Sequence, residues 1–193
     1  MNKFLPLAIL FSFLGLIFFA VNNINKNNND IAITSEETSQ DNQSSNDNGG
    51  VNFVETLIEL PDFILTDINE GGKNLTKKEL IGKYTIINFF ASWCTTCLAE
   101  HDILLRIQSE AIADLYGIAW RDIDKNTIKF LQKNGNPFSK VGADNKGIFS
   151  KIAKIEAVPE TWLVNPKGQV VLRLKGHLQD FSADEISRYI KLH

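Results

Sequence analysis

Phe89-Phe90-Ala91-Ser92-Trp93-Cys94-Thr95-Thr96-Cys97 holds the only two cysteines of the 193-residue chain. A nearly continuous apolar run, Tyr84 to Ala91, rich in β-branched and aromatic residues, leads into it. Such a run fits a central strand buried on both faces. A helix-like stretch follows. A dithiol at the start of a helix meets unpaired backbone N–H groups and the positive end of the helix dipole. Both favour a thiolate, so one sulfur is expected to act as a nucleophile and the pair to close and reopen by exchange.

Working outward, Glu59 to Leu65 reads as a short extended segment and Gly71-Gly72 as a turn. Thr76-Lys77-Lys78-Glu79 has the capping-box pattern, and Gly82 suits a helix stop, predicting a short helix over 77–81. Leu98, Ile103, Leu104, Ile107 and Ile112 can line one helical face beyond the cysteines. Tyr116 to Trp120 reads as a strand, Asp124 to Asn134 as a helix ending at Gly135, and Ile148 to Lys154 as another helix. Thr161–Val164 and Val170–Leu174 read as a hairpin turned by Asn165-Pro166-Lys167-Gly168. Ser182-Ala183-Asp184-Glu185 is a second capping box, opening a final helix. This order predicts an α/β fold with helices on both faces of the sheet. The dithiol then sits at the carboxyl end of a central strand, where open α/β sheets place their sites.

The net charge of -3 and the lack of a basic block give no basis for nucleic-acid binding. Phe4 to Val21 carries no charge and is just long enough to span a bilayer, with Lys3 ahead of it. It reads as a membrane anchor over 1–21 or as a signal segment. Bulky Phe18 two residues before Ala20 fits poorly with a cleavage site, which favours the uncleaved anchor. Positive charge ahead of the segment predicts a cytoplasmic N-terminus and an exported body. Residues 22–50 are rich in Asn, Ser, Asp and Gln and read as a disordered polar linker. Residues 51–193 then form one domain.

Further motifs narrow the fold. Trp93-Cys94-x-x-Cys97 after a strand resembles the thioredoxin fold. With Cys97-Leu98-Ala99-Glu100-His101, Leu115-Tyr116-Gly117 and Val158-Pro159-Glu160-Thr161-Trp162-Leu163-Val164, it resembles the membrane-anchored thiol–disulfide interchange proteins of cytochrome c maturation, the DsbE/CcmG family. The resemblance covers Leu60 to the C-terminus and includes the N-terminal anchor. It implies a thioredoxin-like fold with a central mixed sheet, preceded by one transmembrane helix. It also implies a periplasmic, inner-membrane-anchored reductant of the disulfide in the haem-binding motif of apocytochrome c, re-reduced by a transmembrane electron donor. The family usually has proline where this chain has Thr95, which bears on helix rigidity and redox poise.

Cys94, nearest the helix start, is the expected nucleophile and Cys97 the resolving thiol. A purely structural disulfide would close too small a loop to stabilise much. A structural zinc site needs four ligands, and His101, His177 and His193 are scattered. No metal and no cofactor beyond the Cys94–Cys97 pair are expected. Glu100, three residues after Cys97, is the candidate proton acceptor, and burial would raise its pKa; otherwise it is a solvated helical carboxylate. Asn88 is neutral and cannot move protons. The resemblance implies a cis bond before Pro159, facing the dithiol, with the Val158 backbone free to pair with an extended partner. Trp93 is expected to shield the disulfide and contact peptide, or to pack in the core. Glu160 is expected to help recognise the partner, or to be a solvated loop residue. Trp120-Arg121-Asp122 can line the partner groove, and His101 is assigned no catalysis.

Apocytochrome c or other exported thiol proteins are the expected partners. A general thiol reductase or oxidant, and a non-enzymatic adaptor or copper chaperone, are the alternatives. Copper delivery would want Met or His ligands near the thiols, and the chain's only methionine is Met1.

Overall fold

The computed structural model describes residues 52–69 and 73–193. The expected anchor over 1–21, the linker over 22–50 and the Gly71-Gly72 turn lie outside the described residues. Among the described residues no helix is long and apolar enough to cross a membrane. The chain runs β1 (Asn52–Glu59), β2 (Ile64–Asp67), β3 (Asn74–Thr76), a 3₁₀ turn (Lys77–Leu80), β4 (Thr85–Phe90), α1 (Thr95–Ala99), α2 (His101–Ser109) and β5 (Asp114–Trp120). It continues through α3 (Asp124–Asn134), β6 (Lys140–Asp144), α4 (Ile148–Ile152), β7 (Glu160–Val164), β8 (Gln169–Lys175) and α5 (Ser182–Leu192).

β4 is buried at all six positions. Its two-residue period divides the core. Ile86 and Phe90 pack with Leu104 and Ile107 of α2, Leu131 of α3 and Ile186 of α5. Ile87 and Phe89 face the other way, onto Leu60, Phe63, Leu80, Trp162 and Phe149 of α4. Helices therefore cover both faces, as the continuous apolarity of β4 requires. The sheet order is β1-β8-β7-β4-β5-β6-β2-β3. β4, β5 and β6 are parallel, and every other pairing is antiparallel. The sheet is thus mixed, and the loop carrying the cysteines leaves the carboxyl end of β4, one of the two middle strands of the sheet.

Several elements differ from expectation. The predicted helix over 77–81 is a single 3₁₀ turn, although the Glu79 carboxylate accepts the Thr76 N–H at 2.9 Å as a capping box requires. The helix after the cysteines breaks at Glu100 into α1 and α2. Across that break the apolar face does not continue: Leu98 is 50% exposed, and Ile112 lies past the end of α2. The second capping box does not form at Ser182. That hydroxyl instead accepts the Gln179 N–H at 2.9 Å, and Phe181 occupies the N-cap. β1 and β6 had no legible signal. β1 is an edge strand whose register with β8 shifts between Glu55 and Ile58, so its alternation is broken. β6 contains Gly142, where a Cβ would stand 2.9 Å from Leu65 Cδ1; the glycine marks close packing, not a turn.

Gly117 on β5 makes a similar close approach beneath the site. A Cβ there would meet Phe90 Cε1 at 2.8 Å and Phe138 Cδ2 at 2.9 Å, two rings stacked with centroids 4.9 Å apart. Gly117→Ala is expected to cost about 1–3 kcal/mol by overpacking. Urea titration checks this: the midpoint falls with the slope unchanged, and an unmoved midpoint would refute the packing account.

Candidate active site

The strand ends at Phe90, and Ala91 turns the chain: its carbonyl accepts the Cys94 N–H at 3.1 Å. Cys94 is the N-cap of α1, with φ -89° and ψ 112°. Cys94 and Cys97 form a disulfide with Cα atoms 5.3 Å apart. Both lie in the core cluster on the α1 side, but unequally, with Cys94 at 7% exposure and Cys97 at 2%. Cys94 Sγ accepts the Cys97 N–H at 3.1 Å and lies 3.3 Å from Thr96 Oγ1. A disulfide sulfur carries no proton, so the threonine hydroxyl is the donor. Two donors therefore already point at the sulfur that would bear charge on reduction, where they would stabilise a thiolate.

The loop before the cysteines is held from outside. Asp122, just past the end of β5, is buried. Its carboxylate accepts the Ser92 N–H at 2.6 Å, the Ser92 hydroxyl at 3.0 Å, the Ile123 N–H at 2.8 Å and the Thr127 hydroxyl at 2.9 Å. Asp122 thus pins the Ser92 turn and the first turn of α3 together. It is a frame for the site and not part of an open groove.

The peptide bond between Val158 and Pro159 is cis. The Val158 carbonyl oxygen lies 3.7 Å from Cys94 Sγ, so the loop abuts the more accessible sulfur. Glu160 does not stand at that surface. It is the first residue of β7 and is buried. Its Oε1 accepts Trp162 Nε1 at 2.7 Å and Arg173 Nε at 2.7 Å. The carboxylate is neutralised by Arg173 and turned into the second core cluster's side of the sheet, which leaves it neither solvated nor free for a partner.

Glu100 is fully buried at the break between α1 and α2, where it caps both helices. Oε1 accepts Asn88 Nδ2 at 2.8 Å, and Oε2 accepts the Leu178 N–H at 2.7 Å. Burial pushes its pKa from the ordinary 4.5 up to about 7, and the two hydrogen bonds only partly offset this. Asn88 also donates to Thr161 Oγ1 at 2.9 Å, which links Glu100 through β4 to β7. A carboxyl poised near neutrality one turn from Cys97 can take or return a proton.

Trp93 is 58% exposed beside the disulfide. Its indole Nε1 donates to the Arg121 carbonyl at 3.4 Å, and its ring lies 6.1 Å from Trp120. The Arg121 guanidinium sits 5.0 Å over Trp120. An exposed aromatic and cationic rim therefore flanks the sulfurs. His101 is turned away, its Nε2 2.9 Å from the Gly135 carbonyl and its ring edge-on to Phe130. Sequence reasoning did not single out Thr96 as a donor or Thr161 as a partner of Asn88. The first had a legible signal, a hydroxyl two residues past an N-cap thiol; the second bridges 73 residues and had none.

The raised Glu100 pKa has a signed consequence. The folded state holds this proton more tightly than the unfolded chain. Its contribution is fully present below about pH 4.5 and is lost as pH rises through about 7. The oxidised protein is expected to lose up to about 3 kcal/mol across that window, and Glu100→Gln to flatten the loss. Denaturation at several pH values measures both; a parallel slope in the variant assigns it elsewhere. Separately, Thr96→Val is expected to make reduced Cys94 alkylate more slowly near neutral pH, because its thiolate loses one donor, read from the pH dependence of alkylation. No shift would show the hydroxyl idle.

The sequence model of the redoxin family matches residues 58–185. The thiol:disulfide interchange protein HelX of Rhodobacter capsulatus is 27% identical, over 92% of this chain and 88% of HelX. The thiol:disulfide interchange protein DsbE of Allochromatium vinosum is 34% identical, over 56% of this chain and 60% of that protein. CycY of Rhizobium leguminosarum bv. viciae, with the same description, is 31% identical over 58% of this chain and 60% of its own length. Among solved structures, a thiol:disulfide interchange protein of the thioredoxin family from Chlorobium tepidum superposes with a TM-score of 0.59 at 21% identity, covering 70% of this chain and 97% of that one. StoA from Bacillus subtilis gives 0.55 at 20% identity, covering 67% and 96%. These two share the fold, which is thioredoxin-like. The strand-to-helix position of the cysteines and the extent of the family match lead to one assignment: this chain belongs to the redoxin family and is a thiol:disulfide oxidoreductase whose Cys-x-x-Cys pair is Cys94 and Cys97.

Proposed function

We propose that the protein is a DsbE/CcmG-type reductant of cytochrome c maturation. It is anchored in the bacterial inner membrane by its N-terminal segment, with the thioredoxin-like domain in the periplasm, and opens the disulfide in the haem-binding Cys-x-x-Cys-His motif of apocytochrome c. The observation that carries the reading is the pairing of a more accessible Cys94, aimed at by two donors, with a more buried Cys97 one turn before the dry Glu100 carboxyl. The relatives HelX, CycY and DsbE, all named thiol:disulfide interchange proteins, support it.

In this mechanism the Cys94 thiolate attacks one sulfur of the partner disulfide. A mixed disulfide forms and the other partner sulfur leaves as a thiolate. Cys97 gives its proton to Glu100, and its thiolate attacks Cys94 Sγ. The mixed disulfide breaks, the partner departs with two electrons as a dithiol, taking one proton back from Glu100 and one from solvent, and Cys94–Cys97 is left oxidised. Trp93 and the Val158-Pro159 loop, on either side of Cys94, hold the partner segment, with Val158 offering its backbone for strand-like pairing. No metal or other cofactor takes part. A transmembrane thiol donor restores the dithiol by the reverse exchange.

Cys97→Ala blocks resolution, so it is expected to accumulate a mixed disulfide between Cys94 and apocytochrome c. Non-reducing electrophoresis with identification of the trapped chain tests this. Capture of many unrelated exported proteins would make it a general reductase. A reduction potential near about -120 mV, that of a dedicated disulfide-forming oxidant, would overturn the reductant reading.

A further inference from the structure

Asn88, Glu100 and Thr161 are each fully buried, and one amide joins them. Asn88 Nδ2 donates both to Glu100 Oε1, at 2.8 Å, and to Thr161 Oγ1, at 2.9 Å. Asn88 Oδ1, also buried, has no hydrogen-bond partner among the described residues. All the polar neighbours thus lie at one end of the amide. The unpartnered end carries a desolvation cost whichever atom occupies it. The orientation of the side chain is therefore set entirely by what Glu100 and Thr161 present.

An ionised carboxylate only accepts, so it demands nitrogen. A carboxylic acid with its proton on Oε1 needs an acceptor. Oε2 already takes the Leu178 N–H at 2.7 Å and has no call for a second donor. A threonine hydroxyl can accept or donate, so Thr161 suits either orientation by rotating its hydrogen. We propose that Asn88 is a two-state positioning residue for the Glu100 proton: its amide faces nitrogen to the carboxylate and turns over to face oxygen to the acid, with Thr161 reversing in step. This rests on the reading that Glu100 takes and returns a proton.

The groups around Glu100 do not supply another switch. α1 contributes the Cys94–Cys97 disulfide, β4 contributes Asn88, β7 contributes Thr161 behind it, and the loop before α5 contributes the Leu178 N–H. The adjacent His101 faces the Gly135 carbonyl, and His177, beside Leu178, faces Gln179 Nε2 at 2.6 Å. A neutral amide serves both protonation states without adding charge, whereas an aspartate at position 88 would set a second buried carboxyl against the first.

The test is an NMR titration of the full-length oxidised protein in detergent micelles, following the Glu100 carboxyl carbon and the Asn88 side-chain amide through the Glu100 midpoint. The expected result is one shared midpoint. The Asn88 amide protons also show a nuclear Overhauser contact to the Thr161 methyl on the alkaline side, which is lost on the acid side. If Glu100 titrates while that contact persists unchanged, the turnover is overturned and the role of Glu100 stands. If Glu100 does not titrate in its raised range, both readings fall.

Discussion

Both hydrogen bonds to the Glu100 carboxylate come from uncharged donors, the Asn88 amide and the Leu178 N–H. An ion pair would have held this carboxylate ionised and useless as a proton acceptor near neutral pH. Most of the architecture near the sulfurs follows from keeping it dry and unpaired. β4 must be buried on both faces so that Asn88 can reach it from below. The helix must break at Glu100, so that the side chain turns inward while Leu98, two residues earlier, stays outside. The loop at Leu178 must close over its second oxygen, which requires α5 to dock on the same face through Ala183 and Ile186.

Glu160 is handled in the opposite way. It too is buried, but Arg173 meets it, and Arg173 in turn lies 5.1 Å over the Trp162 ring. One carboxylate sits on a strand, β7, and the other at the break between two helices, α1 and α2. One has been given a cation and the other denied one. The first fixes the strand that carries the Val158-Pro159 loop; the second is left free to change charge. Charge placement here separates frame from chemistry more clearly than position in the chain does.

What the sequence disclosed was local. The apolar run into Cys94, the two-residue spacing and the position of Glu100 three residues after Cys97 are all within one turn or one strand, and the structure keeps them together. Around the site, the failures were at longer range. Asp122 reaches back 30 residues to Ser92, and Asn88 reaches forward 73 to Thr161. Glu160 reads as a loop residue because it follows proline, yet strand register sets it opposite both Phe89 and Lys175, deep in the sheet. β6 was hidden by Gly142, whose missing side chain makes room for Leu65. In each case a partner distant in sequence decided the residue's role.

The contact between Cys94 Sγ and the Val158 carbonyl spans 64 residues. A chain made from its N-terminus completes Cys94 and Cys97 long before Val158 exists, and before Asp122 can grip Ser92. During that interval the two thiols have only their own turn around them, with no carbonyl beside Cys94 and no closed roof over Glu100. The groups that surround the dithiol are thus encoded after it, and the last of them arrive with β7, β8 and the docking of α5.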